Sequence, residues 1–313
     1  MEVIKKEITF PSVTGLTDIR ALSWVPKDSS NVKGVVQVAH GMAEHIDRYD
    51  GFATYLANNG YAVFAGDHIG HGKSVKSDAE LGYFGENNYA GDAFIEDCKQ
   101  LQDIAMKEYP NLPYIFFGHS MGSFIARKFS AKYGNTLTGA IFCGSAYTNP
   151  AAPIAIKMAE KIVASKGAFC RSEKLNNLAF MGYNKKTEKR TGFDWLTRNE
   201  EIVDEYIADD KCGFIFTALG FRDLFTLLDS VSQTSWYESV PVELPILVMS
   251  GGMDPVGGYG KGVNKLINKL RKTGHKVSEN IYLYGRHEIL NETNNDEVFA
   301  DVLEWIEETI KEN

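Results

Sequence analysis

The segment that most constrains the fold of this chain is Gly118–Gly122 (GHSMG), which joins an apolar run to a helix-forming run. The apolar run, Tyr114–Phe117, has the length and character of a buried strand, and Ser123–Phe129 reads as a helix. A strand that turns directly into a helix needs small residues beside the turn, because larger side chains would collide there. The turn presents Ser120 in a strained, exposed position, so the sequence predicts a nucleophile at Ser120.

Two further candidate catalytic residues follow strand-like runs later in the chain. Asp254 lies in a loop just past Ile246–Ser250, and His287 lies just past Ile281–Tyr284. The order serine, acid, histidine is that of a nucleophile elbow with its acid and base partners. A neutral imidazole can take the serine proton as the hydroxyl attacks a carbonyl, and a carboxylate fixes its tautomer. We therefore predict that Ser120, Asp254 and His287 form a catalytic triad.

Acyl transfer also requires hydrogen-bond donors for the oxyanion that forms on the attacked carbonyl. The buried-type strand Val35–Ala39 ends in the segment His40-Gly41-Met42, where a glycine lets the backbone approach a substrate. The residue after the nucleophile usually supplies the second donor. We expect the backbone N–H groups of Met42 and Met121 to form the oxyanion hole.

Strand-like and helical runs alternate through most of the chain, which predicts one mostly parallel sheet covered by helices on both faces. The strand-like runs are Val3–Phe10, Arg20–Val25, Val35–Ala39, Tyr61–Ala65, Tyr114–Phe117, Ala140–Cys143, Ile246–Ser250 and Ile281–Tyr284. The alternation stops between residues 148 and 240, an interval far longer than an ordinary loop. We predict an α/β core formed by residues 1–147 and 241–313, with an inserted helical cap at 148–240.

The predicted cap carries two apolar stripes with helix-like spacing, Ile154–Val163 and Phe214–Leu228. We expect the cap to cover Ser120. Packing against the sheet accounts for most of these side chains, and the remainder could line a pocket for an acyl chain.

Several motifs in the same order resemble those of a known family. They are His40–His45 (HGMAEH) with Arg48-Tyr49, Gly66–Ser74 (GDHIGHGKS), Gly118–Gly122, Asp254–Gly257 (DPVG), Asp194–Arg198 (DWLTR) and Ala208–Phe214 (ADDKCGF). Together they resemble the α/β-hydrolase fold and, within it, the monoacylglycerol lipase and bacterial lysophospholipase branch, also labelled serine aminopeptidase-like. The resemblance covers nearly the whole chain. This sequence departs from the family at Ala43 and Ser123, where glycine is usual.

The resemblance implies a serine hydrolase that cleaves carboxylic esters of single-acyl lipids, either monoacylglycerols or lysophospholipids, and that uses no cofactor. Related scaffolds also carry other activities, so an esterase or aminopeptidase acting on a small non-lipid substrate stays open. A hydrolase-fold protein that binds an apolar ligand without catalysis is the third alternative. Such proteins usually lose a triad member, whereas all three positions are filled here.

Charge and composition limit the kinds of binding partner and the cellular location that we expect. A formal net charge of −8 argues against nucleic-acid binding, which requires a basic surface, and limits membrane contact to a transient one through the cap. The first residues lack the apolar core of a signal peptide, and no run has the length of a membrane span, so we expect a cytoplasmic protein. Widely spaced Cys98, Cys143, Cys170 and Cys212 are expected to be reduced structural thiols.

Four features could mimic other sites. Gly66–Ser74 ends like a phosphate-binding loop, but five residues separate Gly66 from Gly72, where that motif has four. His287–Asn291 (HEILN) begins like a zinc motif but lacks its second histidine. Asp67 could serve as the triad acid, but it precedes Ser120. Four histidines could be taken for metal ligands: His40, His45, His68 and His71. Hydrogen bonds that shape the loops are the favoured role for them, and we predict no metal.

Overall fold

The computed structural model describes residues 2–28, 31–86, 91–148 and 151–312. Within these residues one sheet contains eight strands, in the spatial order β1-β2-β4-β3-β5-β6-β7-β8. Their bounds are β1 Val3–Pro11, β2 Asp18–Pro26, β3 Gly34–Ala39, β4 Tyr61–Gly66, β5 Tyr114–His119, β6 Gly139–Cys143, β7 Ile246–Gly251 and β8 Val277–Tyr282. The first two strands form an antiparallel hairpin that continues antiparallel onto β4, and the remaining pairs are parallel.

Ten α-helices lie within the described residues, and most of them follow strands in the predicted alternation. They are α1 Asp50–Asn58, α2 Asp92–Glu108, α3 Met121–Tyr133, α4 Ala152–Lys166, α5 Glu173–Ala179, α6 Glu200–Ala208, α7 Ala218–Ser232, α8 Thr234–Ser239, α9 Lys261–Lys272 and α10 Asn295–Glu312. None of them is both long enough and apolar enough to cross a bilayer.

Helices bury both faces of the sheet. Successive residues of the central strands point to opposite faces, so neighbouring residues pack under different helices. Val35 packs in an apolar cluster with α2, α3 and α9, whereas Val36 packs on the other face with α1 and α10. Phe116 and Phe117 divide in the same way on β5. The predicted α/β-hydrolase fold, with a mostly parallel sheet covered on both faces, is therefore confirmed.

The last strand lies earlier in the chain than its apolar residues suggest. We predicted it at Ile281–Tyr284, but β8 runs from Val277 to Tyr282. Leu283 and Tyr284 are 67% and 69% exposed, in a turn closed by the Gly285 N–H, which donates to the Tyr282 carbonyl at 2.9 Å. The strand is at the edge of the sheet, so hydrogen bonds to β7 rather than apolar burial set its limits.

Helices α4 to α8 lie between β6 and β7, where the insertion is expected. Residues 149–150, at the start of the predicted cap, lie outside the described residues. The second apolar stripe is helical only from Ala218, because the Thr217 side chain caps α7 by accepting the Gly220 N–H at 3.0 Å. Helices α4 and α7 pack against each other, and α7 also contacts α3, which begins beside Ser120.

Candidate active site

Ser120 occupies the sharp turn between β5 and α3, with φ 54° and ψ −119°. A non-glycine residue with positive φ is strained, and such strain persists only where the surrounding structure enforces it. A side chain at Gly118 would lie 2.1 Å from the Gly122 carbonyl, and one at Gly122 would lie 2.0 Å from the Ala39 carbonyl. The glycines of the motif are thus required by the close approach of α3 to β3 and β5.

His287 and Asp254 are directly hydrogen-bonded. Nδ1 of His287 lies 3.0 Å from Oδ1 of Asp254, and both side chains are almost completely buried. The carboxylate also accepts the Val256 N–H at 2.8 Å and the Ser250 hydroxyl at 3.2 Å. Burial would raise the pKa of Asp254, but the charge and hydrogen bond of His287 outweigh it, so the pKa lies below its usual value.

Ser120 and His287 line the same cavity. Among the described contacts no hydrogen bond joins the Ser120 hydroxyl to the imidazole, which is common before a substrate binds. The cap packs against His287. The Trp195 ring centroid lies 5.0 Å from that of the imidazole, and the backbone N–H of His287 donates to the Trp195 carbonyl at 3.3 Å. The structure therefore brings all three predicted residues to one place, although only the histidine and the acid are hydrogen-bonded.

Met42 and Met121 line the same cavity as Ser120. Within the described part of the chain, neither N–H donates to a protein acceptor. Residues 40–45, which we call the oxyanion loop, are held from behind, because the Gly41 N–H donates to Oε1 of Glu44 at 2.5 Å. The two N–H groups are therefore candidate donors to an oxyanion at Ser120.

A buried ionic network that the sequence did not reveal connects the oxyanion loop to residues 283–288, which we call the histidine loop. Arg48 donates to Oε2 of Glu44 at 2.6 Å and to both carboxylate oxygens of Glu288, at 2.7 and 2.6 Å. Glu288 directly follows His287, so one guanidinium joins the segments that carry the candidate oxyanion donor Met42 and the candidate base His287. Arg48 and Glu288 are 240 positions apart in the chain, and neither local segment signals that they pair.

The positive charge of Arg48 keeps the two buried carboxyl groups beside it ionised. Burial would raise the pKa of both Glu44 and Glu288, but the Arg48 guanidinium holds the pKa of each carboxyl below its usual value. Burial opposes charge on His119, yet its contact with Glu44 raises the pKa of this imidazole. His119 immediately precedes Ser120, so the network also extends to the nucleophile turn.

Two of the residues that could have indicated other sites, His40 and Asp67, hold loops in place through hydrogen bonds. Nε2 of His40 accepts the His68 N–H at 2.9 Å, so Nδ1 carries the proton and donates to the Gly41 carbonyl at 2.8 Å. Burial, with the nearby His71, lowers the pKa of His40 to about 3, so the ring is neutral. Asp67 accepts the N–H groups of Ile46 and Lys73, both at 2.9 Å, and does not contact His287.

The cavity above Ser120 has a volume of about 620 Å³ and lies between the core and the cap. Most of its lining side chains are apolar, and they include Ala155 of α4, Phe124 of α3, and Leu224, Phe225 and Leu228 of α7. Its charged lining residues, among those described, are Glu44 and Glu288, both paired with Arg48, besides the two histidines at the nucleophile. The cavity can therefore hold a long apolar group next to Ser120.

Outside this cavity, one group of side chains in the described residues has the composition and spacing to hold a metal ion. It consists of His45, Asp209 and Cys212, at the contact between the oxyanion loop and the cap. All four cysteines are free thiols.

Comparisons with known proteins agree with this geometry. Residues 30–294 match the model of the hydrolase family described as serine aminopeptidase, S33. The chain is 29% identical to the monoacylglycerol lipase of Mycolicibacterium smegmatis (96% of this chain, 97% of that one) and 26% identical to the phospholipase YtpA of Bacillus subtilis (85% and 92%). The crystal structure of a thermostable carboxyl esterase from Bacillus coagulans in complex with glycerol superposes with a TM-score of 0.91, at 32% identity over 98% of this chain and 99% of that one.

Proposed function

Because this chain belongs to the serine aminopeptidase S33 family of α/β-hydrolases and is a carboxylic ester hydrolase, we propose that it cleaves the ester bond of monoacylglycerols. Ser120 is the proposed nucleophile, His287 the general base and acid, and Asp254 the group that orients His287. The backbone N–H groups of Met42 and Met121 are the proposed oxyanion donors.

The observation that carries this proposal is the lining of the 620 Å³ cavity. It is mostly apolar, as a single acyl chain requires. The described lining residues include no lysine or arginine, so a lysophospholipid phosphate would be buried without a cationic partner. Asn176, Asn177 and Tyr183 supply neutral polar groups, which suit the hydroxyl groups of glycerol.

The same lining disfavours a peptide substrate. An aminopeptidase must bind a free amino terminus, and a carboxylate without another partner is the usual way to do so. The acidic residues of α6 are exposed and lie outside the cavity lining, and Glu44 and Glu288 are already paired with Arg48. The described lining of this cavity therefore offers an ammonium group no carboxylate that lacks another partner.

The proposed reaction has two steps. The Ser120 hydroxyl attacks the ester carbonyl while His287 takes its proton, and the oxyanion is stabilised by the amides of Met42 and Met121. The ester C–O bond then breaks, glycerol leaves with the proton from His287, and the acyl group stays on Ser120. In the second step His287 deprotonates a water molecule, which attacks the acyl-enzyme and releases the fatty acid and free Ser120.

The cap also suits delivery of a lipid from an aggregate. Met181 lines the cavity and is 75% exposed, and Phe169 and Ile154 of the cap are 53% and 66% exposed. Exposed apolar side chains such as these can contact a lipid surface briefly without inserting a helix, and Met181 does so beside the cavity. We propose transient contact of this kind.

The head-group assignment is tested by fatty-acid release from monolauroylglycerol and lauroyl lysophosphatidylcholine, with Ser120→Ala as the blank. We expect kcat/KM for monolauroylglycerol to be roughly 10- to 100-fold higher, since an unpaired buried phosphate is costly. Equal or better hydrolysis of the lysophospholipid would contradict the head-group assignment. Absence of release from both lipids by an enzyme whose Ser120 is reactive would move the substrate to a non-lipid ester or amide.

Acyl-chain selectivity should depend on the wall formed by α4. Ala155 lines the cavity, and a larger side chain there would remove space for about two or three methylene groups. At about 0.8 kcal/mol per buried CH2, Ala155→Phe should lower kcat/KM for lauroyl esters by roughly 15- to 60-fold and leave acetyl esters unchanged. Ala164→Phe, the same substitution at an exposed position of the same helix that does not line the cavity, is the matched control and should behave as wild type. An equal loss for both chain lengths would show that the acyl group lies elsewhere.

A further inference from the structure

Three potential metal ligands of different types converge where the cap meets the oxyanion loop. His45 ends that loop, and Asp209 and Cys212 lie in the turn after α6. Nε2 of His45 and Oδ2 of Asp209 are 2.8 Å apart, and one ligand atom from each of the three residues lies within 4.8 Å of the others. The hydrolytic mechanism uses none of these side chains.

The combination of thiolate, imidazole and carboxylate is typical of sites for borderline-soft divalent cations, of which Zn²⁺ is the commonest in proteins. Bond lengths of about 2.0 to 2.3 Å place the ligand atoms of a tetrahedral zinc roughly 3.3 to 3.6 Å apart. The observed separations would need to change by only about 1 Å.

The surroundings supply the other parts of a metal site. Oδ2 of Asp47 lies 3.5 Å from Nδ1 of His45, on the side of the ring away from Asp209. A carboxylate in this position orients a metal-bound histidine and increases its basicity. A cavity of about 220 Å³, lined by the three ligands and by Glu205, leaves room for a water molecule as fourth ligand.

The cations nearest to this cluster have other partners. Arg48 also lines the small cavity, but its guanidinium is hydrogen-bonded to Glu44 and Glu288. Lys211, within the turn itself, pairs with Asp78.

We propose that His45, Asp209 and Cys212 form a binding site for a divalent cation of the zinc type. The cation would take the place of the Nε2 proton in the His45–Asp209 hydrogen bond and of the thiol proton of Cys212, and both protons leave to solvent. Its binding fastens the cap turn to the oxyanion loop. The site is separate from the hydrolytic reaction, and it does not depend on which ester is the substrate.

The probe is Co²⁺, titrated into the reduced full-length protein and followed by the thiolate-to-cobalt charge-transfer absorption. We expect one equivalent of Co²⁺ to produce this band and one equivalent of Zn²⁺ to remove it. Cys212→Ser should abolish the band, and Asp209→Asn, which keeps the thiol, should weaken Co²⁺ binding at least tenfold. Cys170→Ser removes another thiol of the cap and should leave the band unchanged.

Zn²⁺ should also raise the melting temperature of the wild-type and Cys170→Ser proteins but not of Cys212→Ser, which separates loss of the site from loss of the fold. A titration without a charge-transfer band in wild type overturns the proposal. A band that survives in folded Cys212→Ser, or disappears in Cys170→Ser, overturns it as well.

Discussion

Ser120→Ala is expected to lower kcat for ester hydrolysis by a factor on the order of 10⁴ to 10⁶, which is the cost of removing the nucleophile of a serine triad. The alanine variant keeps the backbone at φ 54°, and among the described contacts the Ser120 side chain makes no hydrogen bond that would be lost. Folding and lipid binding should therefore match wild type. Steady-state release of fatty acid, with the melting temperature measured in parallel, checks both expectations.

A nearby serine provides the matched control. Ser123 lies three residues further along, and its buried hydroxyl donates to the Ser120 carbonyl at 2.6 Å. Ser123→Ala removes one hydrogen bond of about 1 kcal/mol and should retain activity within roughly tenfold. If Ser120→Ala kept more than about 1% of wild-type kcat, covalent catalysis by Ser120 would be wrong.

Asp254→Ala is expected to lower kcat by a factor on the order of 10⁴. The variant removes the acceptor that holds Nδ1 of His287 at 3.0 Å, so neither the tautomer nor the orientation of the ring is fixed. It also removes the negative charge that stabilises the imidazolium formed during attack. The pH profile of kcat/KM, measured on monolauroylglycerol, is the appropriate readout.

Asp254→Asn separates orientation from charge. An amide oxygen at the Oδ1 position can still accept from Val256 and His287, and the amide nitrogen can donate to the Ser250 hydroxyl near Oδ2. We expect a loss on the order of 10⁴-fold here as well, because a neutral amide keeps the geometry but neither stabilises the imidazolium nor enforces the catalytic tautomer. A loss below tenfold in the alanine variant would remove Asp254 from the proposed triad.

The sequence predicted those features of the site that depend on local geometry. Glycines around Ser120 allow only a tight strand-to-helix turn, and the parallel strands β5 and β7 end at the same edge of the sheet. Residues that follow them, such as Asp254, must therefore lie close to Ser120. This reasoning needed only strand limits accurate to a few residues, so the displaced start of β8 did not affect the prediction for His287.

Features that depend on long-range packing were not predictable in the same way. Arg48 and Glu288 are charged residues in polar-looking segments, and their pairing arises only when the loops after β3 and β8 meet. The same applies to the cap: nothing local indicates that the carbonyls of Trp195 and Leu196 accept the N–H groups of His287 and Glu288. Binding of the cap to the histidine loop is a property of the folded chain.

The most direct test of the proposed mechanism is the reaction of the folded protein with a long-chain alkyl fluorophosphonate, followed by intact-mass measurement and peptide mapping. We predict one adduct per chain, located on Ser120, whose formation is slowed by monolauroylglycerol and greatly reduced in Asp254→Ala. Absence of an adduct in active wild-type protein, or an adduct on another residue, would contradict the assignment of Ser120 as the nucleophile.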